Sequence, residues 1–268
     1  MVDIKTAHLF AGAGGGLYTD LILGFTPILA VEQDEQRCEI LRRRSQEGWW
    51  PDLHVWQGDI RLFDPSPWKR KVDLVHAGWP CQDISCAGSG AGLNGPKSKL
   101  FWEIVRIVRH IRPRYIFLEN SPAITNRGLD QVLGALAKLG YNAVWCVLPA
   151  SAVGAPHRRD RWWCFAANLD SQRQSHLTRL AASTTQTIIR TTVGLENSPG
   201  DTTEPPSWFE IEPDLVRVVH GMADAKHRIA ALGDGWVPLQ AALAFVLLLN
   251  IFAGGEALQQ LTRVHRNR

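Results

Sequence analysis

One cysteine of this chain lies where a nucleophile would be expected. Cys81 sits in a Pro-Cys-Gln triplet that follows the apolar run 72–77. Open α/β sheets bind ligands at the carboxyl ends of their strands, so Cys81 is predicted to face a ligand. A free cysteine is usually a small buried hydrophobe, but Pro80, Gln82 and the glycine-rich loop after them favour a catalytic thiol. Such a thiol needs electropositive neighbours, because few free thiols are ionised near neutral pH.

A carboxylate and an amide end a second apolar run, 115–118. The run is followed directly by Glu119 and Asn120, which are predicted to lie at the same sheet edge as Cys81. A carboxyl group there acts as a general acid if burial lets it hold a proton at neutral pH. The alternative is a carboxylate that only caps a turn, and the residues alone leave both open.

Two arginines precede a third apolar run, 162–166. Arg159 and Arg161 are two residues apart, so they share one face if the chain is extended. A solvated basic turn is the simpler interpretation. Because the arginines lead straight into an apolar strand, at least one guanidinium is predicted to reach the sheet edge.

Three strand ends indicate a nucleoside-binding site. A glycine loop follows the first strand, and an acid ends the second strand 20 residues beyond Gly12, at the spacing typical of ribose recognition. Leu17 stands where the dinucleotide fingerprint has its last glycine. This favours S-adenosylmethionine over NAD. The cofactor-binding residues predicted at these strand ends are Phe10, Gly12, Gly14, Glu32, Asp59 and Ile60.

Apolar runs and helical patterns alternate from residue 5 to residue 165, which predicts an α/β fold with a parallel sheet covered by helices on both faces. The predicted strands are 6–10, 27–31, 54–56, 72–77, 115–118, 142–148 and 162–166. The predicted helices are 34–45, 98–111, 129–139 and 239–252. In the clearest of them, 98–111, apolar residues line one face and Pro113 follows the end.

Three segments are predicted from the composition. Residues 1–168 form the catalytic and cofactor-binding core, and residues 208–268 return to that core and complete the cofactor pocket. Between them, 169–207 is a short polar stretch, interpreted as a target-recognition or linker segment.

The composition sets limits on the kind of protein. With 268 residues, a formal net charge of +3 and a sequence pI of about 8.7, the chain is mildly basic and compatible with a polyanionic partner. Five cysteines without Cys-x-x-Cys pairs predict neither disulfides nor a metal site. The start resembles no export signal, and the longest apolar run, 241–253, is too short to span a bilayer. A cytoplasmic protein without membrane contact is therefore expected.

Five motifs, in order along the chain, resemble those of the DNA (cytosine-5)-methyltransferases, especially compact phage, prophage or orphan bacterial members. Residues 10–15 resemble the cofactor loop of that family, 80–85 its nucleophile segment and 119–120 its Glu-Asn pair. Residues 156–161 resemble its arginine segment and 232–238 its late cofactor element. The resemblance implies a Rossmann-like sheet that uses S-adenosylmethionine, with a reduced target-recognition region.

The resemblance also implies a mechanism on a cytosine flipped out of double-stranded DNA. Cys81 would attack carbon 6 while Glu119 donates a proton to ring nitrogen 3, and Arg161 would hold the exocyclic oxygen. Arg159 and Asn120 would support Glu119.

Further contacts follow from the same resemblance. Phe10 would stack on adenine, Glu32 would bind ribose and Asp59 would accept from the adenine amino group. The additional cofactor-binding residues are Pro80, Leu100, Asp234 and Gly235. The substrate-loop residues are Gln82, Ser85, Gly88, Lys97 and Asn120.

Several departures from the family pattern bear on specificity. Asp234 replaces the usual Asn and Lys97 a common Arg, and only about 40 polar residues stand where a large recognition region is usual. A short or relaxed target sequence is therefore expected. A monomer is also expected, with a cognate restriction nuclease as a candidate partner. The alternatives are a tRNA cytosine-5 methylase, a catalytically silent DNA-binding homologue and an NAD-dependent oxidoreductase, the last disfavoured by the glycine pattern.

Overall fold

The computed structural model describes residues 3–83, 93, 95, 98–168, 173–193 and 235–254. Seven strands form one sheet: β1 (Lys5–Leu9), β2 (Thr26–Glu32), β3 (His54–Gln57), β4 (Leu74–Gly78), β5 (Tyr115–Asn120), β6 (Asn142–Leu148) and β7 (Arg161–Ala167). The described α-helices are α1 (Gly15–Leu23), α2 (Glu35–Gln46), α3 (Phe101–Ile111), α4 (Leu129–Lys138), α5 (Arg173–Val193) and α6 (Pro238–Phe252). All seven strands predicted from the sequence are present.

The strands lie in the order β3-β2-β1-β4-β5-β7-β6. The first five in the chain pair in parallel, but β7 runs antiparallel to both β5 and β6. The prediction of a wholly parallel sheet is therefore wrong at this edge. The connection between β6 and β7, residues 149–160, contains the 3-10 turn Ala150–Val153 and none of the described α-helices. A parallel pair is usually joined by a helical crossover, which this connection does not supply.

Each face of the sheet is covered by its own set of helices, as expected. On one face, α3 and α4 pack on side chains such as Leu9, Val75 and Leu118. On the other face, alternate positions of the same strands, including Leu74 and Phe117, meet α5 and α6. The period-2 alternation of strand side chains thus divides the apolar residues between two cores.

Helix α5 was not predicted, because its stretch of sequence was interpreted as a polar linker or module. Its buried surface is made of a few apolar residues and of small ones that give little hydrophobic signal: Leu177, Leu180, Ala181, Thr184 and Thr185. Thr185 accepts a hydrogen bond from Asn250 of α6 at 3.0 Å, so a polar contact joins the two helices. The division of the chain at residues 168 and 207 stays a prediction.

Helix α6 is nearly as predicted and is buried along most of its length. Gln240 in its first turn donates to the main-chain oxygens of Leu148 and Arg159, at 2.7 and 3.0 Å. This side chain joins the end of β6 to the arginine segment before β7. Among the described helices, none is both long and apolar enough to cross a membrane.

Candidate active site

A cavity of about 530 Å³ lies at the carboxyl ends of the parallel strands. Most of the residues predicted for the site line it together: Phe10, Gly12, Glu32, Asp59, Ile60, Pro80, Cys81, Gln82, Leu100, Glu119, Asn120, Arg161 and Gly235. The position agrees with the general rule for ligand sites in open α/β sheets. Four predicted residues lie outside the described part of the chain: Ser85, Gly88, Lys97 and Asp234.

Glu32 fastens the glycine loop to the end of β2. One carboxylate oxygen accepts from the Gly12 N–H at 2.7 Å, and the other accepts from the N–H groups of Gln33 and Asp34 at 2.9 and 3.0 Å. Gly12 has a φ of +60°, a conformation that glycine adopts without strain. A carboxylate has about four lone-pair positions, so Glu32 keeps acceptor capacity for a ligand in the cavity.

Gly14, also predicted to bind the cofactor, has a different environment. It is not among the residues that line the cavity, and a Cβ added to it would lie 3.0 Å from the Trp50 ring and 3.1 Å from Leu41. Its φ is +101°. The structure therefore gives Gly14 a role in turning the chain and packing it on these side chains, and a cofactor contact stays a prediction.

Asp59 is paired with a neighbour in the sequence. Its side chain accepts from the main-chain N–H of Arg61 at 3.0 Å and from its Nε at 2.9 Å. These hydrogen bonds lower the pKa of Asp59 to about 2. Asp59 is thus an ionised acceptor at the cavity wall, which suits an adenine amino group, and Arg61 shares its oxygens.

Cys81 places a partly exposed thiol at the cavity wall. Three other described cysteines have environments that disfavour ionisation: burial raises the pKa of Cys38 to about 11, and burial also raises the pKa of Cys146 and of Cys164. Since the thiolate is the reactive form, these three are poor nucleophiles. Cys86 lies outside the described residues.

Asn120 contacts the segment that carries the thiol. Its amide nitrogen donates to the Trp79 carbonyl at 3.1 Å, and its amide oxygen accepts from the Ser121 N–H at 2.8 Å. Asn120 was predicted to support Glu119. The contact observed here instead joins the end of β5 to the chain two residues before Cys81.

Glu119 forms an ion pair with Arg161 inside the cavity. Arg161 Nε lies 2.8 Å from Glu119 Oε1, and the side chains of Arg161 and Glu119 are only 24% and 11% exposed, respectively. The second carboxylate oxygen lies over Gly78, where an added Cβ would be 2.7 Å from Glu119 Oε2 and 2.7 Å from Trp236 Nε1. A glycine at position 78 therefore leaves space for the carboxyl group.

Arg159 and Arg161, the two arginines predicted to act in the site, have different positions. It is not among the cavity-lining residues, and its guanidinium donates to the Gly235 carbonyl. Its own carbonyl accepts from Gln240. Arg159 thus ties the arginine segment to the turn before α6, while Arg161 enters the cavity.

A buried polar cluster beside the cavity was missed by the sequence analysis. His8 Nε2 lies 2.6 Å from one oxygen of Asp20, and His76 Nε2 lies 3.0 Å from the other oxygen. The imidazole rings stack with centroids 4.6 Å apart, and both histidines line the cavity. Their signal in the sequence is a histidine at an inward position within each of two apolar runs.

The cluster contains metal-ligand residue types, with its ligand atoms within 4.8 Å of one another. The 2.6 Å separation between His8 and Asp20 is that of a hydrogen-bonded pair, whereas ligands on tetrahedral zinc lie about 3.3 Å apart. Burial acts to raise the pKa of Asp20, but His8 and His76 outweigh it and hold that pKa well below its usual range. Burial lowers the pKa of His76.

Comparison with known proteins gives the family. The sequence matches the family described as C-5 cytosine-specific DNA methylase over residues 4–208. Since this match spans well over half of the chain, the chain belongs to that family.

Curated relatives are type II methyltransferases. M.CviJI of Paramecium bursaria Chlorella virus IL3A is 32% identical over 184 residues, which are 68% of this chain and 48% of that protein. M.Sau3AI of Staphylococcus aureus is 33% identical over 190 residues, 63% of this chain and 45% of that protein. M.Eco47II of Escherichia coli is 32% identical over 159 residues, 58% of this chain and 37% of that protein. The chain thus spans less than half the length of these relatives.

Solved structures support the fold. The S. pombe Dnmt2 methyltransferase matches with a TM-score of 0.51 and 19% identity, over 65% of this chain and 54% of that one. The Entamoeba histolytica methyltransferase EhMeth matches with a TM-score of 0.54 and 18% identity, over 63% and 54%. The expected Rossmann-like methyltransferase fold is confirmed.

Proposed function

We propose that this chain transfers a methyl group from S-adenosylmethionine to carbon 5 of cytosine in double-stranded DNA, through a covalent adduct with Cys81. The observation that carries the proposal is the shared cavity: the Cys81 thiol, a carboxyl–guanidinium pair and an adenosine-type glycine loop line one space. Family membership supports the reaction type. Because the chain spans less than half of its curated relatives, substrate and partners belong to the proposal.

The residues present fit S-adenosylmethionine. A Cβ added at Gly12 would meet nothing within 4 Å, so the loop leaves open space beside the Glu32 carboxylate. Glu32 keeps lone pairs for ribose hydroxyls, and the ionised Asp59 offers an acceptor for an adenine amino group. When bound, S-adenosylmethionine supplies an electrophilic methyl group.

Cys81 and Glu119 share the first chemical step. The Cys81 thiolate forms a bond from Sγ to carbon 6 of the cytosine, and the displaced electron pair moves through the ring to nitrogen 3. Glu119, as the carboxylic acid, gives that nitrogen a proton, so the ring becomes an enamine with a nucleophilic carbon 5. Arg161 stands beside Glu119 and holds the carboxyl group and the exocyclic oxygen in place.

The same residues complete the turnover. When carbon 5 accepts the methyl group, the nitrogen 3 proton returns to Glu119. Removal of the carbon 5 proton by a base then restores the double bond between carbons 5 and 6, and its electron pair expels the Cys81 sulfur. The cytosine must leave the base stack for this chemistry, since carbon 6 is unreachable in a duplex.

The test is covalent trapping on DNA duplexes of varied sequence that contain 5-fluorocytosine, with tRNA as a second substrate. Fluorine takes the place of the carbon 5 proton and cannot be removed by a base, so the adduct persists after denaturation. We expect a protein–DNA adduct that requires both S-adenosylmethionine and Cys81, absent in Cys81→Ser and retained in the control Cys146→Ser. An adduct that forms with tRNA but not with DNA would mean that RNA is the substrate. If no adduct formed although the cofactor and DNA were bound, the chain would be a catalytically silent DNA-binding homologue.

Some predictions from the sequence stay open under this proposal. They concern the short or relaxed target sequence, the monomeric state, a cognate nuclease and action in the cytoplasm of a bacterial or phage-infected cell. Mapping of methylated sites in treated DNA tests the first, because a long and strict target sequence would contradict it.

A further inference from the structure

The chain that follows Cys81 is hydrogen-bonded to the residue at which the next helical segment begins. The Asp83 carboxylate, in a residue only 7% exposed, accepts a hydrogen bond from the Ser98 main-chain N–H at 2.8 Å. Ser98 is fully buried and begins the 3-10 turn Ser98–Leu100, which continues into α3. A hydrogen bond from a main-chain N–H to a buried carboxylate is charge-assisted and is therefore stronger than a neutral one.

The chain that precedes Cys81 is also hydrogen-bonded to Ser98. Ser98 Oγ donates to the Pro80 carbonyl at 3.2 Å. Ser98 thus contacts the peptide that leads into Cys81 with its hydroxyl, and the carboxylate two residues beyond Cys81 with its backbone. The pair of contacts forms a clamp, defined by Asp83 and Ser98, around the thiol-bearing residue.

A glycine is required for this clamp to close. A Cβ added at Gly95 would collide with the carboxyl group of Asp83. The main chain at Gly95 also contributes a contact, since its carbonyl accepts from the Lys99 N–H at 3.0 Å. The close approach brings the start of α3 directly against the nucleophile segment.

We propose that Asp83 and Ser98 are positioning residues for Cys81. This inference rests on the proposed function, because it concerns the direction of the thiol toward carbon 6. Reacting atoms must approach within about 3–3.5 Å in line, and a misplacement of about 1 Å reduces a rate roughly 100-fold. The clamp fixes the backbone on both sides of Cys81, whereas Glu119 is fixed separately by Arg161 on β7.

The test compares Asp83→Ala and Ser98→Ala with Asp83→Asn, which keeps an acceptor for the Ser98 N–H. Two controls lose comparable hydrogen bonds elsewhere. Asp64→Ala removes a carboxylate that accepts from the Ser66 N–H at 2.9 Å, and Thr184→Ala removes a buried hydroxyl that donates to the Leu180 carbonyl at 2.8 Å. The readouts are the rate of adduct formation on 5-fluorocytosine DNA, the Kd for S-adenosylhomocysteine and the Tm.

We expect Asp83→Ala and Ser98→Ala to slow adduct formation about 10- to 100-fold while the Kd changes less than about threefold. Asp83→Asn should recover most of the rate, and both controls should leave it unchanged. If the rate and the Tm fell and the Kd rose together, the two residues would only stabilise the fold, and the inference would be overturned.

A second readout does not depend on turnover. Alkylation of Cys81 by iodoacetamide, followed by peptide mapping, reports the accessibility of its thiol, with Cys146 as an internal reference. Release of the clamp should speed alkylation of Cys81 about threefold or more in both alanine variants. An alkylation rate equal to wild type, with an equal adduct rate, would contradict the inference. A wild-type chain that forms no adduct would overturn the proposed function, and alkylation would still decide whether the clamp exists.

Discussion

Arg161 reaches Glu119 because β7 runs antiparallel to β5. In this register Asn120 lies opposite Trp162 and Glu119 opposite Trp163, so the first residue of β7 falls just beyond the carboxyl end of β5. A parallel β7 would instead end at this edge and leave Arg161 at the opposite side of the sheet. The 2.8 Å ion pair is thus a consequence of the strand order and direction.

The first prediction concerns this ion pair. Arg161→Ala should slow adduct formation on 5-fluorocytosine DNA by about 100-fold or more, since the Glu119 carboxyl group loses the donor that orients it. Arg161→Lys should recover little of the rate, because an ammonium group lacks the planar fork of a guanidinium. Single-turnover trapping at saturating cofactor measures the effect.

A neighbouring arginine supplies the control for that experiment. Arg158 pairs with Asp160 at 3.0 Å, but its side chain is 84% exposed, so Arg158→Ala should leave the chemical rate unchanged. Equal losses in Arg158→Ala and Arg161→Ala would mean that the segment acts only through its charge on the DNA. The assignment of Arg161 to the chemistry would then fail.

The second prediction concerns the anchor of the glycine loop. Glu32→Gln replaces one acceptor oxygen by an NH₂ group, which cannot accept from the N–H groups of Gly12, Gln33 or Asp34. At least one of these part-buried donors is left unpaired, so the loop is held less firmly and the Kd for S-adenosylhomocysteine should rise about 10-fold. Isothermal titration calorimetry measures this change.

The control is a carboxylate that pairs on the surface. Glu47 contacts Arg44 at 2.9 Å and its side chain is 41% exposed, so Glu47→Gln should not affect cofactor affinity. If Glu32→Gln bound S-adenosylhomocysteine as tightly as wild type, neither the anchoring of the loop by Glu32 nor a contact of Glu32 with ribose would contribute to cofactor affinity.

The sequence predicts the part of this site that follows single strands. Cys81, Glu119 and Glu32 each come directly after an apolar run, and the rule that ligands bind at carboxyl strand ends brings them together. The sequence leaves the contact between Arg161 and Glu119 open, because this contact depends on the direction of β7. Runs of apolar residues specify that a strand exists, but not which way it pairs.

Contacts between segments that are distant in the sequence could not be predicted either, because local patterns do not specify which segments meet. The cluster of His8, Asp20 and His76 joins β1, α1 and β4, and no local pattern relates the three positions. Helix α5 was missed because threonine and alanine form much of its buried surface. Such residues are common on solvated stretches too, so their burial is decided by what packs against them.

The third prediction concerns pH and the buried cluster. Burial lowers the pKa of His76 in the folded chain. As pH falls below about 6.5, the unfolded chain takes up this proton before the folded one does, so stability is lost with falling pH. The slope for one such group reaches at most about 1.4 kcal/mol per pH unit. His76→Asn should therefore show a weaker loss of the free energy of unfolding between pH 7 and pH 5 than wild type, measured by urea unfolding.

The difference between the variant and wild type in the pH dependence of the free energy of unfolding isolates the contribution of His76 from those of other groups. Burial also lowers the pKa of His176, but that residue is present in both chains and its contribution cancels. His110, exposed on α3, gives a matched control for the substitution itself, His110→Asn at a surface position. Asp20 has a depressed pKa, so its contribution is present at neutral pH and is lost only in strong acid, below the usual range of a carboxyl group. A His76→Asn chain with the same slope as wild type from pH 7 to pH 5 would mean that folding does not change the pKa of His76. A steeper loss in the variant would mean that the folded chain holds His76 as an imidazolium beside Asp20.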